Sequence, residues 1–276
     1  MAYATAPPGS TVPPRQLSWK APRLIEQSWL RWLTTVAVLG YLLLAIGTID
    51  VNWTRASEGL IRAARLFEGF LSPNFTARWS DIEQGLIESL TMTVTATVAG
   101  VLLSVPFGLG AARNIAPIWL YGFCRGVIAL SRAFQDIIVA ILFVAMFGFG
   151  PFAGFLTLTI STVGFLAKLL ADDIEEISPA QVEAIRATGA GFWQTIEYAV
   201  APQVTPRLVG LTAYKVDINF RDSSVIGIVG AGGIGATLNT ALDRYEFDSA
   251  AAILLIIIFV VMLCEYASGL IRKRFA

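Results

Sequence analysis

Long apolar runs separated by short polar connections set the pattern of the chain. The first covers residues 30–49, about the twenty residues a helix needs to cross a bilayer, with Trp29, Trp32 and Trp53 at flanking, interfacial positions. A mixed stretch over 50–83 follows, in which Leu60, Ala64, Phe67 and Leu71 recur at helical spacing. That recurrence predicts a helix lying on the membrane surface, or equally a protein-covered loop. A second run begins near Gly85 and ends by Ala112. In it, Thr91, Thr93, Thr95 and Thr97 are placed to bond back to helix carbonyls or across to neighbouring helices, and Pro106 is expected to kink it. Further apolar runs cover 137–149, 152–170, 207–229 and 250–271, with Gly148, Gly150 and Pro151 marking a tight turn. Lys215, Asp217, Arg221 and Asp222 interrupt the fifth run, whereas the sixth is almost purely aliphatic. The pattern predicts an all-α integral membrane protein with six transmembrane helices.

Composition agrees and removes several function classes. Of the 276 residues, 55% are hydrophobic and 14% charged, too few charges for a soluble domain. The formal net charge is zero, so no bulk attraction to nucleic acid arises. The chain has no histidine, which removes histidine metal sites, histidine general bases and Ser-His catalysis together. No metal site is expected, and Cys124 and Cys264 read as packing residues. A proline-rich stretch over 1–27 lacks periodicity and is expected to be a disordered cytoplasmic tail. It does not read as a signal peptide, because the apolar run comes too late. Placing the amino terminus inside puts Arg113, Arg125, Arg132, Arg186, Arg207 and Arg272 on the cytoplasmic side, with Arg55, Arg62, Arg65, Arg78 and Arg244 outside. The bias predicts both termini in the cytoplasm.

Between the fourth and fifth runs lies a polar hairpin over 178–206, SPAQVEAIRATGAGFWQTIEYAVAPQVTP. Ser178 suits an N-cap, Pro179 the first helical position and Gln181 a capping box, so a helix should start here. Gly189 should end it. A second short helix is expected over 192–200, with Phe192, Ile196 and Ala199 on one face, before Pro202 and Pro206 redirect the chain. Glu183 and Arg186, one turn apart, are placed to brace the hairpin. Ala187, Gly189, Ala190 and Gly191 would let a partner's backbone come close.

Glu183 and Ala184, then Gly189 six residues after the glutamate and Pro202 thirteen after the glycine, resemble the EAA loop of ABC importer permeases. Ile185 replaces the usual second alanine, and Ala199 and Ala201 stand where isoleucine and leucine are usual. The resemblance implies that this hairpin is a coupling element seated in a groove of a cytoplasmic ATPase, with Glu183, Ala184, Arg186, Gly189, Ala190 and Pro202 as the coupling residues.

VIGIVGAGGIG, ending at Gly235, fits the dinucleotide-binding spacing at Gly230, Gly232 and Gly235, and Asp248 lies where a ribose-binding acid would. Context opposes a nicotinamide site, because membrane helices flank the cluster where a strand-helix-strand unit is required. Close helix packing through small residues is a second reading. A third is that Gly230, Gly232, Gly233 and Gly235 break the helix at the outer mouth of a pore. NFRDSSVIGIVGAGGIG together with DIEEISPAQVEAIRATGA, ESLTMTVTATVAGVLLSVPFGLGAARN and SRAFQDIIVAILFVAMFGFGPFAG is similar to the membrane subunit of phosphonate-type ABC importers, and the similarity runs from Asp81 to the carboxyl terminus. The methionine importer permease carries similar elements and is the competing assignment.

The resemblance implies a five-helix type I importer core over 81–276, preceded by a first transmembrane helix and outer loop over 28–80. It implies two ATPase subunits that carry ATP and Mg2+, an extracytoplasmic binding protein, a prokaryotic inner membrane and no cofactor in this chain. The chain has no Walker lysine motif and no internal repeat, so it is expected to be non-catalytic and to act as a homodimer. Lys215, Asp217, Asn219, Arg221, Asp222, Ser223 and Ser224 form the expected translocation pathway. Asp217 and Arg221 either pair with each other, or Arg221 and Lys215 attract a tetrahedral oxyanion. An ion-coupled secondary transporter is a further alternative.

Overall fold

A bilayer core leaves helices as the natural answer to a chain of this composition, since their backbone groups are satisfied internally. The computed structural model describes residues 27–48 and 52–275, and every regular element among them is helical. Of the expected tail over 1–27, residues 1–26 lie outside the described residues, as do residues 49–51. The chain divides into two units, residues 1–60 and 61–276, each described by itself. In the first, α1 (Ser28–Gly47) buries none of its residues. Such a helix is apolar on every side and suits lipid.

The elements that follow are α2 (Trp53–Leu71), α3 (Trp79–Gly110), α4 (Ile118–Ala133), α5 (Asp136–Phe147), α6 (Pro151–Glu175), α7 (Pro179–Ala187), α8 (Phe192–Thr195), a π-helical turn (Ile196–Val200), α9 (Ala201–Ile228), α10 (Ile234–Asp243) and α11 (Phe247–Phe275). Among the described residues, α1, α3, α6 and α11 are long and apolar enough to cross a membrane. The expected third run is only α5, about 18 Å long at 1.5 Å per residue and too short alone. It joins α4 at a 92° bend, and the bent pair makes a fifth candidate span. Extended backbone at Phe134 and Gln135 produces the break. α9 has the length of a span, but its charges keep it outside that composition test, so six spans are not reached on this criterion.

Two expectations at the start of α9 fail. Pro202 and Pro206 do not redirect the chain: Pro202 sits in the first turn of α9 and Pro206 inside it. Proline in the first turn sacrifices only a donor that would lack a partner anyway, and the wider π turn directly before it loosens the ladder.

Small residues bring α3 against α6. A Cβ on Gly100 would lie 2.4 Å from Thr162 Cγ2, and one on Gly108 would lie 2.8 Å from Leu170 Cδ2. α9 is tied to both helices by one buried amide. Asn219 Nδ2 donates to Thr97 Oγ1 and to Thr162 Oγ1, each at 2.9 Å. Those hydroxyls donate in turn to Thr93 O at 2.7 Å and Leu158 O at 2.6 Å. Of the four threonines singled out on α3, Thr97 bonds both back and across, Thr91 and Thr95 bond back, and the Thr93 hydroxyl makes no hydrogen bond among the described residues. At the end where α3 and α11 begin, Arg78 NH2 donates to Glu246 Oε1 at 3.2 Å and NH1 to Asp81 Oδ2 at 3.3 Å.

Replacing Asn219 with alanine removes both interhelical bonds. At about 0.6–1.7 kcal/mol each, the loss should be about 1–3 kcal/mol, read as a lower midpoint in SDS unfolding; an unchanged midpoint would show that the amide does not tie the helices. The hydrogen bond from Arg78 holds the Glu246 carboxyl below its ordinary value of 4.5. The stabilisation is therefore complete at neutral pH and fades as pH drops from the ordinary carboxylate value through the depressed one. Glu246→Gln should flatten that acid-side loss in a pH series of melting curves, and the effect should be modest because the Glu246 carboxylate is partly open to solvent.

Candidate functional site

The polar hairpin between α6 and α9 carries most of the motif residues. α7 starts after Ser178 with Pro179 in its first turn, as the sequence predicts. The capping box does not form, since no side-chain cap bond is made there. The Ser178 N–H instead donates to Gln203 Oε1 at 3.0 Å, and Gln203 Nε2 donates to Ala199 O at 2.7 Å. A residue 25 positions downstream thus replaces Gln181, because α9 passes beside the start of the hairpin. Gly189 closes α7 with φ +83° and donates its N–H to Arg186 O at 3.0 Å. No atom crowds its missing Cβ, so the positive φ alone calls for glycine.

Glu183, Ala184, Arg186, Gly189 and Pro202 are exposed and Ala190 is half-buried. Trp193 and Tyr198 are exposed as well. Glu183 and Arg186 form no ion pair with each other among the described residues, so they do not brace the hairpin. Both line a groove of about 310 Å3 together with Asn114, Phe192 and Ile196.

The bracing comes from residues outside the motif. Asp172 binds Lys168 and Arg125 NH1, the latter at 3.3 Å. Glu175 Oε1 accepts from Arg125 NH2 at 3.0 Å and from the Arg113 N–H at 2.8 Å. Asp173 pairs with Arg207 at 2.9 Å, and Asn114 Nδ2 donates to Ile174 O at 2.7 Å. The acidic run 172–176 facing arginines 113, 125 and 207 is the sequence signal for this mount.

α9 separates the expected pathway residues into two stripes. Lys215, Asn219, Asp222 and Ile226 recur at intervals of four, three and four, and lie together along the helix. Lys215 is buried and donates from Nζ to Ser161 Oγ at 3.1 Å, while that hydroxyl donates to Asp136 Oδ2 at 2.9 Å. Asp136 and Asp222 line a recess of about 420 Å3 at the bend between α4 and α5. Asn219 and Ser223 are enclosed in the helix packing. The other stripe holds Asp217, Arg221 and Ser224. Here the guanidinium of Arg221, 55% exposed, donates to Asp217 Oδ2 at 3.2 Å, and Asp217 is 6% exposed. Lys215 and Arg221 stand six positions apart, about 120° from each other around the helix and on different stripes, so one chain does not present both to the same ligand.

The glycine cluster breaks the helix at Val229 and restarts it as α10. Gly230, Gly232 and Gly233 have φ of +96°, +79° and +73°. The freed backbone is satisfied: Gly230 O accepts from the Gly150 N–H at 3.0 Å, the Gly233 N–H donates to Glu88 Oε2 at 3.1 Å, and the Ile234 N–H to Ser89 Oγ at 2.9 Å. A Cβ on Gly235 would lie 2.0 Å from Ser224 O. Helix break and close packing therefore both hold. With no strand among the described residues, nothing of the dinucleotide-binding unit surrounds these glycines.

Known proteins resemble the chain over most of its length. The phosphate-import permease protein PhnE of Mycolicibacterium smegmatis is 41% identical over 239 residues, covering 86% of this chain, which spans 44% of that protein's length. The phosphite transport system permease protein PtxC of Stutzerimonas stutzeri is 39% identical over 252 residues, 90% of each chain. The membrane chain of the MetNI methionine ABC transporter in an inward-facing conformation superposes with a TM-score of 0.64 over 73% of this chain and 99% of that one; at 24% identity it shows the shared fold. Residues 104–276 match the family model for the binding-protein-dependent transport system inner membrane component, and with more than half its length inside that model this chain belongs to that family.

Proposed function

We propose that the chain is the permease subunit of an ATP-driven importer and forms, with a second copy of itself, the path for a phosphonate or a related oxyanion such as phosphate or phosphite. The observation that carries this reading is the exposed hairpin of α7 and α8, held between two spans by the ion pairs of Asp172, Asp173 and Glu175. A rigidly mounted, outward-facing hairpin is what a partner needs in order to push on the bundle. Two ATPase subunits supply the energy from ATP and Mg2+, and the chain itself is non-catalytic. An extracytoplasmic binding protein delivers the anion at the end marked by the glycine loop. Both termini and the hairpin lie in the cytoplasm, and the membrane is a prokaryotic inner membrane with six spans of this chain.

The oxyanion class rests on the relatives, whose names specify phosphate and phosphite at 41% and 39% identity. The methionine reading stands second because the MetNI membrane chain shares the fold. Among the expected pathway residues of α9, Arg221 carries a guanidinium with an open approach, and its fork geometry suits a tetrahedral oxyanion.

ATP hydrolysis by the chain co-reconstituted with its ATPase and binding protein tests the assignment. Phosphate, phosphite or an alkylphosphonate should stimulate it and methionine should not; the reverse would keep the mechanism and overturn the substrate. Gly189→Val forces a β-branched residue to φ +83°, a strain of about 1–3 kcal/mol, and should uncouple hydrolysis from uptake in a folded protein. Normal uptake by that variant would refute the coupling role. Arg221→Ala should cut anion uptake tenfold or more, about 1.4 kcal/mol, without loss of assembly, and unchanged uptake would place Arg221 outside the path.

A further inference from the structure

The carboxyl-terminal half of α2 is a surface that neither the hairpin nor the pathway uses. Ala64, Phe67 and Leu71 form one stripe at helical spacing, and Phe67 is 66% and Leu71 87% exposed. Leu66 and Phe70 are half-buried. Gly69 packs so closely on the start of α11 that a Cβ there would lie 2.6 Å from Phe247 Cβ, and the Asn74 N–H donates to Asp248 O at 3.1 Å. The segment is therefore fastened at the level where the apolar spans α3 and α11 begin, at Trp79 and Phe247.

That level is where a bilayer ends. Exposed aromatic residues gather there: Phe75, Trp79 and Tyr245 stand open at the starts of the two spans. Aromatic side chains favour this boundary because their rings prefer the region between headgroups and acyl chains.

We infer that the carboxyl-terminal half of α2 is an interfacial helix whose Ala64, Phe67 and Leu71 stripe is seated in lipid, at the end of the bundle carrying the glycine loop. Its occupant is the acyl region of a phospholipid leaflet. A binding protein docking from outside would meet the loops instead. The inference depends on the chain being embedded in a bilayer and not on the identity of the transported solute.

Spin labels report the difference directly. Phe67→Cys, Leu71→Cys and, as a water-exposed control on the hairpin, Glu183→Cys are each placed in a chain carrying Cys124→Ala and Cys264→Ala, then labelled in vesicles of phosphatidylethanolamine and phosphatidylglycerol. Collision with oxygen should exceed collision with a nickel chelate severalfold at 67 and 71, with the order reversed at 183. Equal nickel access at all three sites would put the stripe in water and overturn the inference. Low access to both reagents at 67 and 71 would overturn it too, since protein would then cover the stripe. Should Phe67→Cys fail to fold, Leu71→Cys alone separates lipid from water and from protein by the same two collision rates.

Discussion

In a medium without water a buried amide has to find its partners inside the protein, and Asn219 finds them on two helices at once. Its bonds to Thr97 and Thr162 fix more than the spacing of α3, α6 and α9. They set the rotation of α9 about its own axis. With Asn219 turned inward, Lys215 and Asp222 must follow on the same stripe, and Asp217 and Arg221 must turn to the other. The glycines on α3 make the arrangement possible, because Gly100 lets Thr162 approach to a distance no Cβ would tolerate. One side-chain amide thus decides which side of α9 each charge of the fifth run occupies.

The two ends of α9 are fastened by different chemistry. At the hairpin end, Arg207 holds Asp173 and Gln203 holds the start of α7. At the other end, contact is backbone against backbone: a Cβ on Gly227 would lie 2.6 Å from Gly232 O. On the proposed function, motion imposed on the hairpin would pass through the pairs of Arg207 and Arg125 into α9 and α4, and the glycine loop, interlocked with the end of α9, would move with that helix as one piece.

How much of this the sequence disclosed depends on the range of the interaction. The spans, the helix break at Gly230 and the left-handed residue at Gly189 follow from local rules, since periodicity and positive φ are written in neighbouring residues. The capping of α7 does not, because Gln203 competes from 25 positions away and wins over Gln181. Proline at 202 and 206 reads as a stop only until the π turn ahead of it is known. α4 was hidden because its apolar positions are interleaved with Arg125 and Arg132, and the acid that Arg125 binds lies on α6. The family resemblance supplied the hairpin's role, while the pairing of Asp217 with Arg221 was one of two readings that spacing alone left open.

That pairing also shapes what Arg221 can offer an anion. A guanidinium carries five N–H donors, and Asp217 Oδ2 takes one of them at 3.2 Å, leaving four on a side chain that is 55% exposed. The carboxylate cancels most of the charge felt at a distance, so an oxyanion meets hydrogen-bond donors without a deep electrostatic well. A well deep enough to hold the anion would also retain it, and passage requires that binding be weak enough to leave. On the proposed function, Asp217 is therefore the residue that keeps the arginine from becoming a trap. On the same proposal, selectivity with high affinity has to reside in the binding protein and not on α9.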